Sequence, residues 1–180
     1  GLAYKVRTDG NLTIVVEGPP DGDWWNGEFE EINDMPGVHI LNTRNPSFPV
    51  PTNKFGWNFY NDVCTDGDLA YVLNDGFWEI YDLTGFGGWE PIFEEDDSEE
   101  DAAITADGSI FCISNAEEEL IGIWDTSTPQ ESVLASTIDF NCRDIFLTEN
   151  MLYCQGDEFR IYSLENLEEP QLISTLDDLV

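Results

Sequence analysis

TDGNLTIVV at 8–16, TDGDLAYVL at 65–73, TADGSIFCIS at 105–114 and TENMLYCQ at 148–155 are four versions of one phrase, a polar turn followed by an apolar run. Each is answered downstream by a second phrase: GVHILNTRNPSFP, FWEIYDLTGFGGWEP, IGIWDTSTPQES and FRIYSLENLEEPQ. Ile40, Ile80, Ile123 and Ile161 anchor that second phrase at spacings of 40, 43 and 38 residues. A repeat of this period marks a chain built from units that cannot hide their apolar faces alone. Four units account for all 180 residues.

Apolar alternation bounded by turn residues resolves each unit into four strands. The first precedes the turn, as at 4–7 or 144–147, and the second follows it, as at 69–73 or 152–155. The third carries the anchor isoleucine, and the fourth returns, as at 132–136 or 171–175. Asp-Gly pairs starting at Asp9, Asp66 and Asp107 suit two-residue hairpins, because glycine takes positive φ without a Cβ clash. Asp82 and Asp125 close the third strand where an Asx turn begins. The only helix-like stretch is one turn at 164–168.

Four-stranded units of this period read as β-propeller blades, in which radial repetition protects the strand edges. The expected fold is all-β, a β-propeller of four four-stranded antiparallel blades, closed or part of a larger ring. Blade 1 covers 1–55 with an insertion at 17–36, blade 2 covers 56–97, blade 3 covers 98–139 and blade 4 covers 140–180. No strand from one terminus completes a blade at the other, so a closed ring would lack a latch. Leu12, Leu69, Ile110 and Leu152 are expected at equivalent places around one axis.

An Asp before an apolar strand, then LAYV, an IYD-like triplet, a turn and Pro resembles the LVIVD-repeat propellers, relatives of WD-repeat and YncE-like proteins. The resemblance runs over the whole chain. Blade 1 departs from it by the insertion, and blades 1 and 4 end the triplet with Asn42 and Ser163 in place of Asp.

Composition narrows the partners. Thirty-eight Asp and Glu against 6 Lys and Arg give a formal net charge of -32, which repels phosphate backbones and anionic lipid heads. Nucleic acid and membrane insertion are therefore not expected. Such acidity fits either a saline setting, where screening relieves self-repulsion, or a surface that gathers divalent cations. The chain begins at Gly1 rather than Met, so a processed or partial product is expected. Cys64, Cys112, Cys142 and Cys154 form no CxxC pair; they fit strand positions as small hydrophobes, and disulfides are allowed but not demanded.

In a propeller, the loops between second and third strands share one face with the connections between blades. Everything unusual falls on that face. The insertion carries Trp24, Trp25 and Phe29 among acids, and FGWNFYN adds Trp57, Phe59 and Tyr60. Trp24, Trp25, Trp57 and Tyr60 are candidate ligand-binding residues, since exposed rings stack on sugars or anchor a protein; alternatively they cap the axis as a satellite core. EEDDSEED at 94–101 can hold Ca²⁺ or remain a solvated, salt-adapted loop. The EF-hand-like start at Asp21 and Asp23 fails at Trp25.

First strands line the axis, where Asp62, Asp101 and Asp144 are candidate ligands for Ca²⁺ or another cation, with Lys5 in their place in blade 1. The competing role for these carboxylates is to cap backbone groups blade by blade. His39 beside Ile40 suits packing more than base chemistry. Serine nucleophile motifs, phosphate-cradling loops and zinc spacings are absent. The sequon Asn11-Leu12-Thr13 overlaps the first hairpin turn.

The expected function is a non-catalytic binding or scaffolding module, extracellular or at the cell surface, that takes a protein or glycan on its aromatic and acidic loop face. A carbohydrate-active enzyme using loop-face carboxylates is the alternative. A structural subunit self-assembling through blade edges is the third reading.

Overall fold

A computed structural model describes residues 2–9, 12–18, 37–45, 47–48, 50–55, 60–74, 77–84, 90–96, 102–115 and 117–176. The chain folds into four four-stranded antiparallel sheets, each made of consecutive strands. Blade 1 holds β1 (Leu2–Asp9), β2 (Leu12–Gly18), β3 (Gly37–Asn42) and β4 (Val50–Phe55). Blade 2 holds β5 (Tyr60–Asp66), β6 (Leu69–Asn74), β7 (Phe77–Asp82) and β8 (Phe93–Asp96). Blade 3 holds β9 (Ala102–Asp107), β10 (Ile110–Asn115), β11 (Leu120–Asp125) and β12 (Val133–Asp139). Blade 4 holds β13 (Cys142–Thr148), β14 (Met151–Gly156), β15 (Phe159–Ser163) and β16 (Gln171–Leu176). A 3-10 turn at Pro129–Glu131 joins β11 to β12. The stretch at 164–168 is a loop, not a helical turn.

The repeat is visible in the ladders. Four rungs correspond across the first three strands of each blade: Arg7, Ile14 and Ile40; Cys64, Tyr71 and Ile80; Thr105, Cys112 and Ile123; Phe146, Tyr153 and Ile161. All four anchor isoleucines thus occupy one position. A bulge recurs at the start of β1, β5 and β13, and another between the third and fourth strands of blades 1, 3 and 4.

One expected equivalence shifts by a residue. Leu12, Leu69 and Ile110 open their second strands, but in blade 4 that place belongs to Met151, and Leu152 points to the other face. The turn explains the slip. Gly67 and Gly108 sit at φ 56° and 63° as first turn residues, whereas blade 4 uses Glu149 and Asn150, both at positive φ. Thr148 therefore stands where the other blades have Asp. The Glu149 amide donates to Asp107 Oδ2 of the preceding blade at 2.6 Å, which helps hold that conformation.

Blades pack face on face in three layers. Ile14, Val16, Val38 and Ile40 meet Val63, Ala70 and Val72 between blades 1 and 2. Tyr71, Leu73, Trp78 and Ile80 meet Ile104, Phe111, Ile113 and Trp124 between blades 2 and 3. Cys112, Ile121, Ile123 and Ile138 meet Ile145, Leu147, Leu152 and Cys154 between blades 3 and 4. The inner blades are covered on both sides, so β6 and β10 bury nearly every residue. This is why LAYVL and IFCIS are continuous apolar runs rather than alternating ones. In β14, by contrast, burial alternates, because one face alone is covered.

The third strand ends the same way in every blade. Asp82 Oδ1 accepts the Thr84 amide at 2.7 Å and Asp125 Oδ1 accepts that of Ser127 at 2.9 Å. Asn42 Oδ1 and Ser163 Oγ accept the Arg44 and Glu165 amides at 3.0 and 3.4 Å. The two departures from the Asp pattern keep its turn-forming job. The hydroxyl and then the amide of Thr84 hold the Asp82 carboxyl below its ordinary range, and the amide and then the hydroxyl of Ser127 do so for Asp125.

Candidate functional site

The first strands lie side by side, β1 beside β5, β5 beside β9 and β9 beside β13. Each has one edge bonded to its own sheet, leaving alternate amides on the other edge in need of acceptors. The preceding blade supplies them. Asp62 Oδ2 accepts the Ile104 amide at 3.1 Å, Thr105 Oγ1 that of Leu147 at 3.1 Å, and Asp107 Oδ2 that of Glu149 at 2.6 Å. In ladder positions these acceptors alternate along the strand, and each reaches one residue further along its neighbour. Side chains thus stitch the inner strands together.

Asp62 is fully buried and caps backbone. Its Oδ1 also accepts the Val63 amide at 2.6 Å, and the Arg7 guanidinium of blade 1 stands 3.9 Å away. The matching ladder position holds Ala103 in blade 3 and Asp144, which is exposed, in blade 4. Asp101 lies outside the described residues, as do Trp24, Trp25 and Trp57. Tyr60 opens β5 opposite Asn74. Among the described residues no three His, Cys, Asp or Glu side chains converge as a metal site.

The acidic run divides. Glu94, Glu95 and Asp96 form the outermost strand β8 rather than a loop, opposite Glu79, Trp78 and Phe77. An outer edge is solvated and tolerates charge, and charge there discourages pairing with other sheets. Residues 97–101 lie outside the described residues. His39 sits in β3 between buried Val38 and Ile40. No disulfide joins the four cysteines, which are buried in the layers between blades, and burial pushes the Cys112 thiol up.

Glu79 is the buried charge that the sequence did not flag. It faces blade 1 at 6% exposure, and its Oε2 has no hydrogen-bond partner. Burial raises its carboxyl pKa, Tyr81 opposes the shift by a hydrogen bond, and Glu94 adds repulsion. The folded chain therefore favours the protonated form. Stability from this site is fullest below the ordinary value of 4.5 and declines as pH rises through the elevated value. Glu79→Gln is expected to raise Tm at pH 7 by a few degrees, on the order of 1 kcal/mol. The gain shrinks to nothing as both chains are acidified below the carboxylate range. Melting curves over pH check this, and a loss of Tm at neutral pH contradicts it.

A cleft of about 420 Å³ opens between blades 3 and 4 on the expected loop face. The turn from β10 to β11 contributes Glu118, Glu119 and Leu120; the connection from β12 to β13 contributes Asp139, Phe140 and Asn141; β15 contributes Arg160. Asn115 Oδ1 accepts the Glu118 amide at 2.8 Å, and Glu119, at φ 58°, offers its carbonyl to the Phe140 amide at 2.8 Å. The first bond shapes the β10 to β11 turn, and the second ties it to the connection from β12 to β13. At the base, a Cβ on Gly156 would lie 2.1 Å from the Asn141 carbonyl, so only glycine lets the connection approach.

Arg160 is well held. Its guanidinium lies 4.1 Å from the Phe140 ring centroid, donates to Tyr162 Oη at 3.3 Å and pairs with Glu158. The bond to Tyr162 and then that to Glu158 keep it charged. The remaining charges lining the cleft, Glu118, Glu119 and Asp139, are all negative. A neutralised cation and three carboxylates around an open mouth suit a cationic group.

The chain is a β-propeller. It resembles solved structures in fold alone: one chain of a mitotic checkpoint complex at TM-score 0.68 and 9% identity, over 98% of this chain and 53% of that one. A protein of unknown function from Desulfotomaculum acetoxidans gives 0.65 and 11%, over 93% and 53%. The Cps50 (Swd1) β-propeller domain of Myceliophteria thermophila gives 0.59 and 10%, over 94% and 56%. The chain spans about half the length of these solved chains. No family model and no curated protein matches it in sequence.

Proposed function

We propose that this chain is a non-catalytic binding or scaffolding propeller that works outside the cell or at its surface in a saline setting, and that its loop face takes a basic segment of a protein partner. The cleft between blades 3 and 4 carries this reading: Glu118, Glu119 and Asp139 surround an opening whose one cation is already paired. One of the similar solved chains belongs to a mitotic checkpoint complex, which supports a protein partner. The repeat reads as the LVIVD type, and the shared turn that Asp82, Asp125, Asn42 and Ser163 form after the third strand supports this reading.

Calorimetry with a lysine-rich and a glutamate-rich peptide tests it. The basic peptide binds, and Glu118→Lys/Glu119→Lys weakens it at least tenfold, about 1.4 kcal/mol. Glu165→Lys/Glu168→Lys makes the same change in net charge on the opposite face and leaves the affinity within about twofold. Equal losses in both variants would mean diffuse attraction to the whole surface and contradict a site.

A further inference from the structure

The layer that buries each blade against the next stops at blade 4. The rung Cys64, Tyr71 and Ile80 is 7%, 0% and 0% exposed, and Thr105, Cys112 and Ile123 are 7%, 0% and 0%. The corresponding rung in blade 4 presents Phe146 at 61% exposure, with Tyr153 and Ile161 half-buried. It is more aromatic than its buried counterparts. Tyr153 stacks loosely between Phe146 and Phe159 at 6.2 and 6.3 Å, and Leu176 extends the surface opposite Phe159.

Blade 1 shows the reverse face. Val6 is 50% exposed, and Val15 and Leu41 on the same face are half-buried, at positions where blade 2 buries Val63 and Val72 completely and leaves Tyr81 5% exposed. Among the described residues no contact comparable to the three between neighbours joins β13 to β1. One end of the stack thus exposes a leading face and the other a trailing face of the same kind of interface.

We infer that a second copy of this chain covers both, head to tail, with Phe146, Tyr153, Phe159 and Ile161 of each copy closing on Val6, Val15 and Leu41 of the other. Continuity with the three existing layers argues for this occupant, since the same rotation that carries blade 3 onto blade 4 carries blade 4 onto a following blade. This chain covers 53% of each of two solved chains of this fold, so two copies supply as much chain as one of those propellers. A head-to-tail contact repeated by a fixed rotation closes a ring when the rotations sum to a full turn and otherwise forms a filament. Net charge sets the condition. At -32 per copy the faces repel at low ionic strength, whereas at about 1 M salt charges are screened beyond about 3 Å and the apolar contact prevails.

Sedimentation of the 180-residue chain at low and at high salt tests the proposal. The expected result is a single species of twice the chain mass at high salt, at least half dissociated at low salt. Phe146→Glu abolishes the dimer at high salt while circular dichroism stays unchanged, because the ring is solvated in the single copy. Phe48→Glu, at a 74% exposed position in the β3 to β4 turn, leaves the dimer intact. A monomer at every salt concentration overturns the proposal and fits further blades on a longer parent chain. A ladder of higher polymers overturns closure at two copies. A dimer that survives Phe146→Glu places the contact elsewhere.

Discussion

Trp78→Ala costs the fold about 3–5 kcal/mol, the range for deleting a buried indole. Trp78 is fully buried in the layer between blades 2 and 3. It stacks on Phe111 at 4.4 Å and meets Phe93 and Trp124 at 5.0 Å each. Phe111 in turn stacks on Tyr71 at 5.0 Å and 8°, so one ring holds together an aromatic column drawn from both blades. Domains have about 5–15 kcal/mol in total, so this loss leaves the chain partly unfolded at ordinary temperature. Denaturant titration at fixed salt measures it. A loss below about 1 kcal/mol would mean that the two blades do not share this core.

Asp62→Ala is expected to follow in size. It strips the acceptor from the buried amides of Val63 and Ile104 and leaves Arg7 without its partner across the blades. Each orphaned buried amide costs about 1–3 kcal/mol. Asp62→Asn, whose amide oxygen accepts one of the two bonds, recovers part of the loss. Equal stability of Asp62→Ala and the parent chain would show that water reaches the axis and satisfies those amides instead.

Architecture was readable because it rests on period and alternation. The anchor isoleucines, the Asp-Gly turns and the two-sided apolar runs of β6 and β10 each follow from how a blade must pack. The one-residue slip at Met151 arose where blade 4 replaces an Asp-Gly turn by Glu149 and Asn150, a conformational substitution with no hydrophobic signature. Strand β8 was hidden for a related reason, since an outer strand exposed on both faces needs no apolar pattern and reads as a charged loop.

The cleft was legible in part. Loop-face placement follows from topology, but tryptophans and the densest acids dominate that face in the sequence, whereas Arg160 sits within a strand. Its signal was scarcity: it is one of 6 cations against 38 acids, and it lies between Phe159 and Tyr162. Asp62 was legible as a position and as a backbone cap. Glu79 was not, because FWEIYD carries no sign of how closely blade 1 covers the face on which its Glu lies. Phe146 could have been found by comparing rungs, where it alone sets a phenylalanine against cysteine, threonine and arginine.

Radial stacking is tested most directly by native-state hydrogen exchange at the amides of Ile104, Leu147 and Glu149. Ile104 and Leu147 lie on the free edge of their sheets, Glu149 lies in the turn that follows, and side chains of the blade before accept all three amides. The expected result is slow exchange at all three, with Ile104 alone released by Asp62→Ala. Exchange at all three as fast as at an unpaired, solvated strand edge would contradict the arrangement of blades around a common axis.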